Sequence, residues 1–431
     1  MRIETLYLKN FRNVTEQTYR FDPHFTVLIG INGRGKSTWL HGLRVACGAY
    51  LLHPSSQEVS KRHIQKTEIR YSNEASFFNT NFPVIVEAEG YFPEAEQPIK
   101  WRRQVVEQKK GTSSTNEDVG KVRGLCKAKY DDMKAGSDDL NLPVIAFFGT
   151  SRVHGAGRNS KARLGRQIFK EGYSNWHEMR ATVYGYQSWL ASYSISVMKN
   201  HDYPETQQAF WKAMRAANPY IEDIRFEHNE LWLKIVMDDY QSEYLPLHLH
   251  SDGIICFTEM TAELAYRCIV LNGNKRENVI EKTLGVVMID ELDLHLHPSW
   301  QKHVVHDLKK AFPNLQFVAT THSPFIVQSL AASELINLDS TVSMAEAGLQ
   351  PLDLTLNQVA TEIMQVENLN SDNFEERFEQ AKETFQNLES NGHSIDMGDY
   401  AKLKQLIDGL ITTDTEDPVY KAFLSVKNNK A

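Results

Sequence analysis

Length, composition and charge restrict the classes of protein to which this chain can belong. Its 431 residues, of which 41% are apolar, provide enough material for one large domain or about two to three smaller ones. The formal net charge of −8 argues against a protein that coats nucleic acid through overall positive charge. Any site for DNA must therefore be a local basic patch.

The cysteines and the apolar runs indicate the cellular compartment. The four cysteines show no CxxC spacing and are too sparse for a secreted disulfide scaffold. Residues 1–10 lack the basic patch and apolar core of a signal peptide, and no run reaches the roughly 18 apolar residues that span a bilayer. We therefore expect a soluble, cytoplasmic protein without a membrane partner.

The first fifty residues carry the pattern of strands followed by a helix. Ile3, Leu6 and Leu8 nearly alternate with polar residues, and Phe25–Ile29 is a short apolar run, so both segments are predicted to be strands. Apolar residues then recur at helical spacing from 36 to 50. This pattern places a glycine-rich loop between a strand and a helix.

The middle of the chain mixes predicted strands with predicted insertions. Residues 83–91 and 99–106 indicate an antiparallel pair, whereas the polar stretch 111–136 lacks periodicity and is expected to be a mobile insertion. The apolar run 144–148 predicts a buried strand. Residues from about 175 to 218 have helical spacing, and we assign them to a helical subdomain that interrupts the main fold.

Strands and helices alternate further along the chain. A helix is predicted at 253–271, and strands are predicted at 231–237, 285–289 and 315–320. Such alternation favours a largely parallel α/β sheet, with its ligand at the carboxyl ends of the strands.

The last part of the chain is polar and acidic, with helices predicted near 373–390, 397–411 and 417–427. We therefore divide the chain into a head, 1–345, and a helical C-terminal partner or oligomerisation region, 346–431. An insertion within the head at about 107–220 contains a basic loop and the helical subdomain.

A phosphate-binding loop is the clearest motif. Residues 30–37 match GxxxxGK[ST] without a mismatch, and they lie between a predicted strand and a predicted helix. In that context backbone amides and a helix N-terminus bind phosphate, Lys36 supplies positive charge and Ser37 can bind magnesium, which argues against a chance glycine turn. We predict ATP and Mg²⁺ as ligands, held by Asn32, Gly33, Arg34, Gly35, Lys36, Ser37 and Thr38.

Paired acids end the apolar run 286–289. Asp290 is predicted to hold the metal or its water, and Glu291 to orient or deprotonate the water that attacks the γ-phosphate. An acidic surface turn is the alternative, and the phosphate loop argues against it. His322 follows the predicted strand 315–320 and could contact the γ-phosphate, although a lone histidine is more often structural.

These motifs together resemble SMC, RecF and OLD-like ATPases. The resemblance rests on the phosphate loop, on the acidic strand end with the run LDLHLHP that follows it, and on TTHSP. Within that group, LHLHPSWQ and FPNLQFVATTHSPF resemble the small ATP-binding proteins that include PtuA of the Septu and retron-associated antiphage systems. The resemblance covers residues 1–50 and about 245–340. It implies an ABC/SMC-type P-loop head with a mixed, mostly parallel sheet, a helical insertion and a helical C-terminal tail.

The resemblance also implies that a second copy of the chain completes the site. Ser251 and Gly253 match a signature motif that reaches the γ-phosphate in trans, so at least a homodimer is required. The neighbouring residues depart from the LSGG pattern, which implies slow, regulatory hydrolysis of ATP to ADP and phosphate. Arg12 is expected near the nucleotide, and Gln65 is a candidate for the metal-sensing glutamine.

Two groups of residues have competing explanations. The pairs His248/His250 and His295/His297 could bind zinc, but neither pair has a cysteine or third histidine at ligand spacing, and we favour a structural role. Basic residues could form either a groove for nucleic-acid phosphates or a solvated surface. They are Arg102, Arg103, Lys109, Lys110, Lys121, Arg123, Lys127, Lys129 and the set from Arg158 to Lys170.

Several functions are compatible with these motifs. The first is an antiphage defence ATPase that self-associates around ATP and controls a separately encoded HNH-type nuclease. The second is a RecF-like DNA-repair ATPase that acts on DNA without a nuclease partner. A self-sufficient OLD-type nuclease would need clustered carboxylates that the sequence beyond residue 340 does not show, and a transporter subunit or small-molecule kinase fits the motif set less well.

Overall fold

The chain divides into two compact units, Met1–Val359 and Ala360–Ala431. The computed structural model describes residues 1–53, 59–74, 77–107, 113–114, 116–137, 140–154, 168–178, 185–199, 203–237, 240–340 and 342–366. The three helices predicted beyond residue 372 lie outside the described residues, so the helical C-terminal region stays a prediction.

A five-stranded parallel sheet lies at the centre of the first unit. Its strands, in spatial order, are β16 (Leu335–Asn337), β3 (Phe25–Ile29), β15 (Leu315–Thr320), β14 (Gly285–Ile289) and β9 (Val144–Phe148). Every residue of β3, β9, β14 and β15 is buried, which explains their continuous apolar sequences. Because the strands are parallel, their carboxyl ends meet at one edge of the sheet.

A second, antiparallel sheet has the order β2 (Val14–Arg20), β1 (Arg2–Phe11), β6 (Val84–Tyr91), β7 (Ile99–Val105) and β8 (Ser113–Ser114). Helix α1 (Lys36–Cys47) contacts both this sheet and the parallel sheet. A Cβ at Gly42 would lie 2.7 Å from the side chain of Leu8, so the helix approaches the antiparallel sheet closely. The helix that follows the glycine-rich loop is thus held between two sheets.

The remaining strands form smaller sheets. One contains β10 (Ile221–Glu227), β11 (Glu230–Met237), β12 (Tyr240–Gln241) and β13 (Leu245–Pro246), and a hairpin contains β4 (Tyr71–Glu74) and β5 (Phe77–Thr80). Short 3₁₀ turns occur at Tyr50–Leu52, Lys66–Glu68, Thr150–His154, Leu247–Leu249, Gly273–Asn278, Ala332–Glu334 and Pro351–Asp353. Several of these turns lie next to the site described below.

The other helices pack mainly around one long buried helix, α6. They are α2 (Asn116–Lys134), α3 (Ile168–Gly172), α4 (Gly185–Met198), α5 (Thr206–Ala217), α6 (Asp252–Asn272), α7 (Val279–Lys282), α8 (Pro298–Gln301), α9 (Val304–Ala311), α10 (Pro324–Gln328) and α11 (Leu356–Gln358). Helices α3, α4, α5 and α7 and strand β9 all contact α6. None of the helices in the described part of the chain is both long and apolar enough to span a bilayer.

Most predicted elements are confirmed, and the fold is an α/β head as expected. The strands predicted at 144–148, 285–289 and 315–320 have the observed bounds. Parallel and antiparallel strands occupy separate sheets. Helices α4 and α5 fall within the predicted helical subdomain, and α5 packs against α6 and α9.

The expectation of a mobile insertion at 111–136 is wrong for residues 116–134, which form α2. Val119, Val122 and Cys126 are buried and lie at helical spacing, and the helix packs against β7. This narrow apolar stripe is diluted by glycine, lysine and aspartate, so the sequence showed little periodicity. The sequence analysis also missed strand β2.

Candidate nucleotide-binding site

The phosphate loop, Gly30–Ser37, joins the end of β3 to the start of α1. Gly33 and Gly35 have φ angles of 89° and 95°, left-handed values that glycine adopts without strain. A Cβ at Gly33 would meet no atom within 4 Å, so the space beside the loop is open. The helix N-terminus that follows favours a bound anion.

Lys36 lies within the loop. The residue is 9% exposed, and its Nζ donates a hydrogen bond to Gly30 O at 2.6 Å. Burial lowers the pKa of Lys36, and four nearby carboxylates oppose that change: those of Asp339, Asp290, Glu291 and Asp293. Carboxylates from the segments that follow β14 and β16 therefore lie near the Lys36 ammonium group.

Asp290 connects the phosphate loop with two strands of the parallel sheet. Its Oδ1 accepts hydrogen bonds from Ser37 Oγ at 3.2 Å and from Thr320 Oγ1 at 2.7 Å. The side chain of Ser37 thus meets a carboxylate 253 positions away in the sequence. A hydroxyl and a carboxylate are oxygen ligands of the type that Mg²⁺ prefers, so this pair fits a magnesium site.

Glu291 follows Asp290 in a left-handed backbone conformation, with φ of 52°. Its amide N donates to Thr320 Oγ1 at 2.8 Å, and its carbonyl O accepts from Arg152 Nη2 at 2.6 Å. Left-handed conformations are rare for residues other than glycine and persist where neighbouring groups enforce them. Hydrogen bonds to the backbone N–H and to the backbone carbonyl of Glu291 therefore fix the position of this residue.

Asp293 fixes the segment that contains His322. Its Oδ1 accepts hydrogen bonds from Thr321 Oγ1 at 2.5 Å and from the backbone N of His322 at 3.2 Å. His322 itself is exposed. Hydrogen bonds thus join the acidic run after β14 to the end of β15. His322 was predicted from the sequence as a site residue, whereas Asp293 was not.

Arg12 and Gln65 each form a hydrogen bond with Glu68, in the turn Lys66–Glu68. Arg12 has a φ of 52°, and its backbone N donates to Glu68 O at 2.8 Å. Gln65 is exposed, and its backbone N donates to Glu68 Oε2 at 2.9 Å. No hydrogen bond in the described part of the chain joins Gln65 to Ser37 or Asp290, so its metal-sensing role stays a prediction.

The signature residues lie at the N-terminus of α6. Ser251 precedes the helix, is exposed and makes no side-chain capping bond. A Cβ at Gly253 would lie 2.2 Å from His295 O, so the start of α6 is packed tightly against the loop that follows Asp290. Within the described residues, neither Ser251 nor Gly253 forms a hydrogen bond with the phosphate loop of the same chain.

Parts of the chain are similar in sequence to AAA-domain proteins and to probable ATPases. Two family models match the chain, one described as "AAA domain" at residues 5–199 and one described as "AAA domain, putative AbiEii toxin, Type IV TA system" at residues 241–328. The "Retron Ec83 probable ATPase" of Escherichia coli is 24% identical over 237 residues, and the "Septu protein PtuA" of Bacillus thuringiensis is 54% identical over 54 residues. The chain is thus similar in sequence to AAA-domain ATPases, among them those of retron and Septu systems.

The similarity spans only part of these relatives. It covers 55% of this chain and 37% of the retron relative, and 12% of this chain and 14% of the PtuA relative. A solved structure described as "Crystal structure of the SmcHead bound to the C-winged helix domain of ScpA" has a TM-score of 0.47 and 15% identity, and the match covers 81% of this chain and 96% of that chain.

Asn13 and Asp339 hold the phosphate loop, and neither residue was predicted from the sequence. Asn13 Nδ2 donates to Gly33 O at 2.9 Å, and its Oδ1 accepts from Thr38 Oγ1 at 2.8 Å. Asp339 Oδ2 accepts from the backbone N of Ile31 at 2.7 Å, and its other oxygen lies 2.8 Å from Arg34 Nε. Asp339 follows the apolar strand β16, so the strand-end pattern that identified Asp290 was a signal for it as well.

Each of the two histidine pairs makes its own contacts. His248 Nδ1 lies 2.6 Å from Glu230 Oε1, and His297 Nδ1 lies 2.7 Å from Ser299 Oγ. Over the ranges that the structure describes, no three histidine, cysteine, aspartate or glutamate residues form a group able to hold a metal ion.

Both alternatives for the basic residues, a nucleic-acid groove and a solvated surface, are wrong for Arg103. That residue is 1% exposed, its Nη1 donates to Val45 O and Arg62 O at 3.2 and 2.7 Å, and burial lowers its pKa to about 10. Arg102 lies 2.5 Å from Glu87. Lys121, Arg123 and Lys127 are exposed on α2, Lys129 lies 3.5 Å from Glu94, and Lys170 is half-buried. Lys109, Lys110 and the set from Arg158 to Arg166 lie outside the described residues.

Proposed function

We propose that this ATPase binds ATP with Mg²⁺ and hydrolyses it to ADP and phosphate. The contact between Ser37 Oγ and Asp290 Oδ1 at 3.2 Å carries the proposal, because it joins the phosphate loop to the acidic strand end. Both groups would bind Mg²⁺, which stabilises the charge on the transferring phosphoryl group. Asn32, whose residue is exposed on the loop, would contribute with the loop amides.

The other residues of the site have distinct roles in this proposal. Lys36 holds the β- and γ-phosphates with its ammonium group, and Arg12 lies beside the nucleotide. Glu291 orients the attacking water and accepts its proton. His322 contacts the γ-phosphate from the exposed segment that Asp293 orders. Each role uses a group at the carboxyl edge of the parallel sheet or beside it.

A second copy of the chain completes the site in this proposal. Ser251 is exposed at the N-terminus of α6, Gly253 is buried in the first turn of that helix, and no hydrogen bond among the described residues joins either one to its own phosphate loop. The Ser251 hydroxyl and the N-terminus of α6 suit the binding of a nucleotide phosphate that is held by another copy of the chain. ATP would then stabilise the closed dimer because it binds that state in preference to the open one.

The relationship to retron and Septu ATPases supports a role as a slow, cytoplasmic switch in antiphage defence. In this role the closed dimer controls a separately encoded HNH-type nuclease. The alternative is a RecF-like DNA-repair ATPase that acts on DNA directly. The two functions differ in the partner and in the response to DNA.

Two substitutions test the site. Lys36→Ala should weaken ATP binding by at least about tenfold, because it removes a charge-assisted contact with phosphate. Glu291→Gln should keep binding but lower turnover by roughly a hundredfold or more, because the general base is lost. Lys212→Ala and Glu281→Gln are matched controls, since they alter an exposed surface pair. Equal ATP affinity and turnover in all five proteins, wild type included, would refute the site.

The assembly is tested by the mass of the complex, measured on protein purified from its native cells with and without ATP and Mg²⁺. Glu291→Gln should accumulate as a closed dimer or larger assembly with ATP. Several copies bound to a nuclease-sized second protein would support the defence function. A lone chain whose turnover rises with added DNA would favour the DNA-repair alternative.

A further inference from the structure

Arg152 is a buried arginine next to the acidic strand end. It lies in the 3₁₀ turn Thr150–His154 that follows β9, and it is 6% exposed. Its Nη1 donates to Asp290 O at 2.6 Å and to Gly149 O at 3.1 Å, and its Nη2 donates to Glu291 O at 2.6 Å. One guanidinium therefore holds the carbonyls of both acidic residues.

These bonds act on a strained peptide. The left-handed conformation of Glu291 turns the chain immediately after β14, and Arg152 is the partner of its carbonyl. Thr320 holds the amide of the same residue from the neighbouring strand. Since a left-handed conformation is unfavourable for glutamate, loss of Arg152 would let the Glu291 peptide relax toward other conformations.

The same guanidinium lies against the signature helix. The turn Thr150–His154, which contains Arg152, contacts α6, and the thiol of Cys256 on that helix interacts electrostatically with Arg152. Burial raises the pKa of Cys256, and the charge of Arg152 opposes that rise. Cys256 is one turn from Gly253, so Arg152 joins the signature end of α6 to the backbone of Glu291.

We propose that Arg152 is a positioning residue that couples the N-terminal end of α6 to the Glu291 peptide. Contact of the signature residues with a nucleotide in another copy would then be transmitted to the group that activates water. Arg152 touches neither nucleotide nor metal in this role, and it acts through the backbone of Glu291. The inference rests on the proposed ATP hydrolysis at this site.

The kinetic test compares Arg152→Gln and Arg152→Lys with the wild type. The glutamine variant should lower kcat by roughly tenfold to a hundredfold and leave KM within about threefold, because charge-assisted bonds to the catalytic backbone are lost while the phosphate loop is intact. Lysine should restore part of kcat, since its ammonium can reach one of the two carbonyls. Arg225→Gln, on the exposed face of β10, controls for the loss of an arginine.

Hydrogen exchange gives a second measurement that does not depend on turnover. In Arg152→Gln, amide protection should fall in segment 286–294 and also in segment 250–260, and Arg152→Lys should show a smaller change in both. Unchanged kcat, equal changes in kcat and KM, or a loss of protection confined to segment 286–294 would overturn the coupling. If the wild type does not hydrolyse ATP but both segments respond, the proposed function fails and the coupling stands.

Discussion

Thr320→Val tests the hydrogen bonds that tie the acidic end of β14 to β15. Thr320 is 1% exposed, and its Oγ1 donates to Asp290 Oδ1 at 2.7 Å and accepts from Glu291 N at 2.8 Å. Valine has nearly the same shape but no hydroxyl. The substitution therefore removes one donor from a buried carboxylate and leaves a backbone N–H without its partner.

The magnitude follows from these two bonds. A hydrogen bond to a charged group contributes about 1.5–3 kcal/mol, and an unpaired buried amide costs about 1–3 kcal/mol. We expect Thr320→Val to lower the free energy of unfolding by about 3 kcal/mol. Thr320→Ser keeps the hydroxyl and removes one buried methyl, which costs about 1 kcal/mol. Valine should therefore be less stable than serine by about 2 kcal/mol.

Urea unfolding of the full chain, followed by circular dichroism, measures this difference. The slopes of the transitions should agree between the variants, so that the midpoints report stability. ATP turnover should be retained better by serine than by valine, because only serine keeps the Glu291 amide bonded. A valine variant as stable as the serine variant would refute the assigned network.

Two further predictions concern packing and pH. Gly253→Ala should lower the free energy of unfolding by about 1–3 kcal/mol, because the new Cβ would lie 2.2 Å from His295 O. Gly124→Ala, in open space on α2, should instead raise the free energy of unfolding by about 0.5–1 kcal/mol. Equal urea midpoints for the two would contradict this packing. Burial, with the charge of Glu230, raises the pKa of Glu259 from 4.5 to about 7. Between about pH 4.5 and pH 7 the folded chain keeps a proton on Glu259 that the unfolded chain releases, so the free energy of unfolding should fall as pH rises through that range. Glu259→Gln should make the free energy of unfolding depend less steeply on pH. Urea midpoints for both proteins at about pH 5 and pH 8 test this, and identical slopes would contradict it.

Local sequence was enough to predict the central strands and the phosphate loop. Buried parallel strands are largely apolar runs, and residues 285–289 and 315–320 are followed by the polar residues Asp290 and Thr321, which mark their carboxyl ends. The loop motif requires its own glycines, lysine and serine at fixed spacing. These features depend on neighbours in the chain, so the sequence shows them directly.

Other features depend on distant partners. Helix α2 is stabilised by a narrow stripe that packs on β7, and its composition otherwise resembles a loop. Arg103 looked like part of a surface groove, but it is buried against backbone carbonyls of α1 and of the segment before β4. Neither environment can be read from residue type, because burial is decided by what packs against the residue.

The sequence by itself determined the chemistry of the site: a phosphate loop, an acidic strand end and a signature-like helix start. The tertiary structure alone decided which groups hold them in place. Asn13 and Asp339 bond the phosphate loop, and Arg152 bonds the carbonyls after β14. Their partners lie up to 308 positions away. The parallel sheet brings Asp339 and Arg152 to the site by collecting its strand ends at one edge, and the turn between β1 and β2 of the antiparallel sheet brings Asn13.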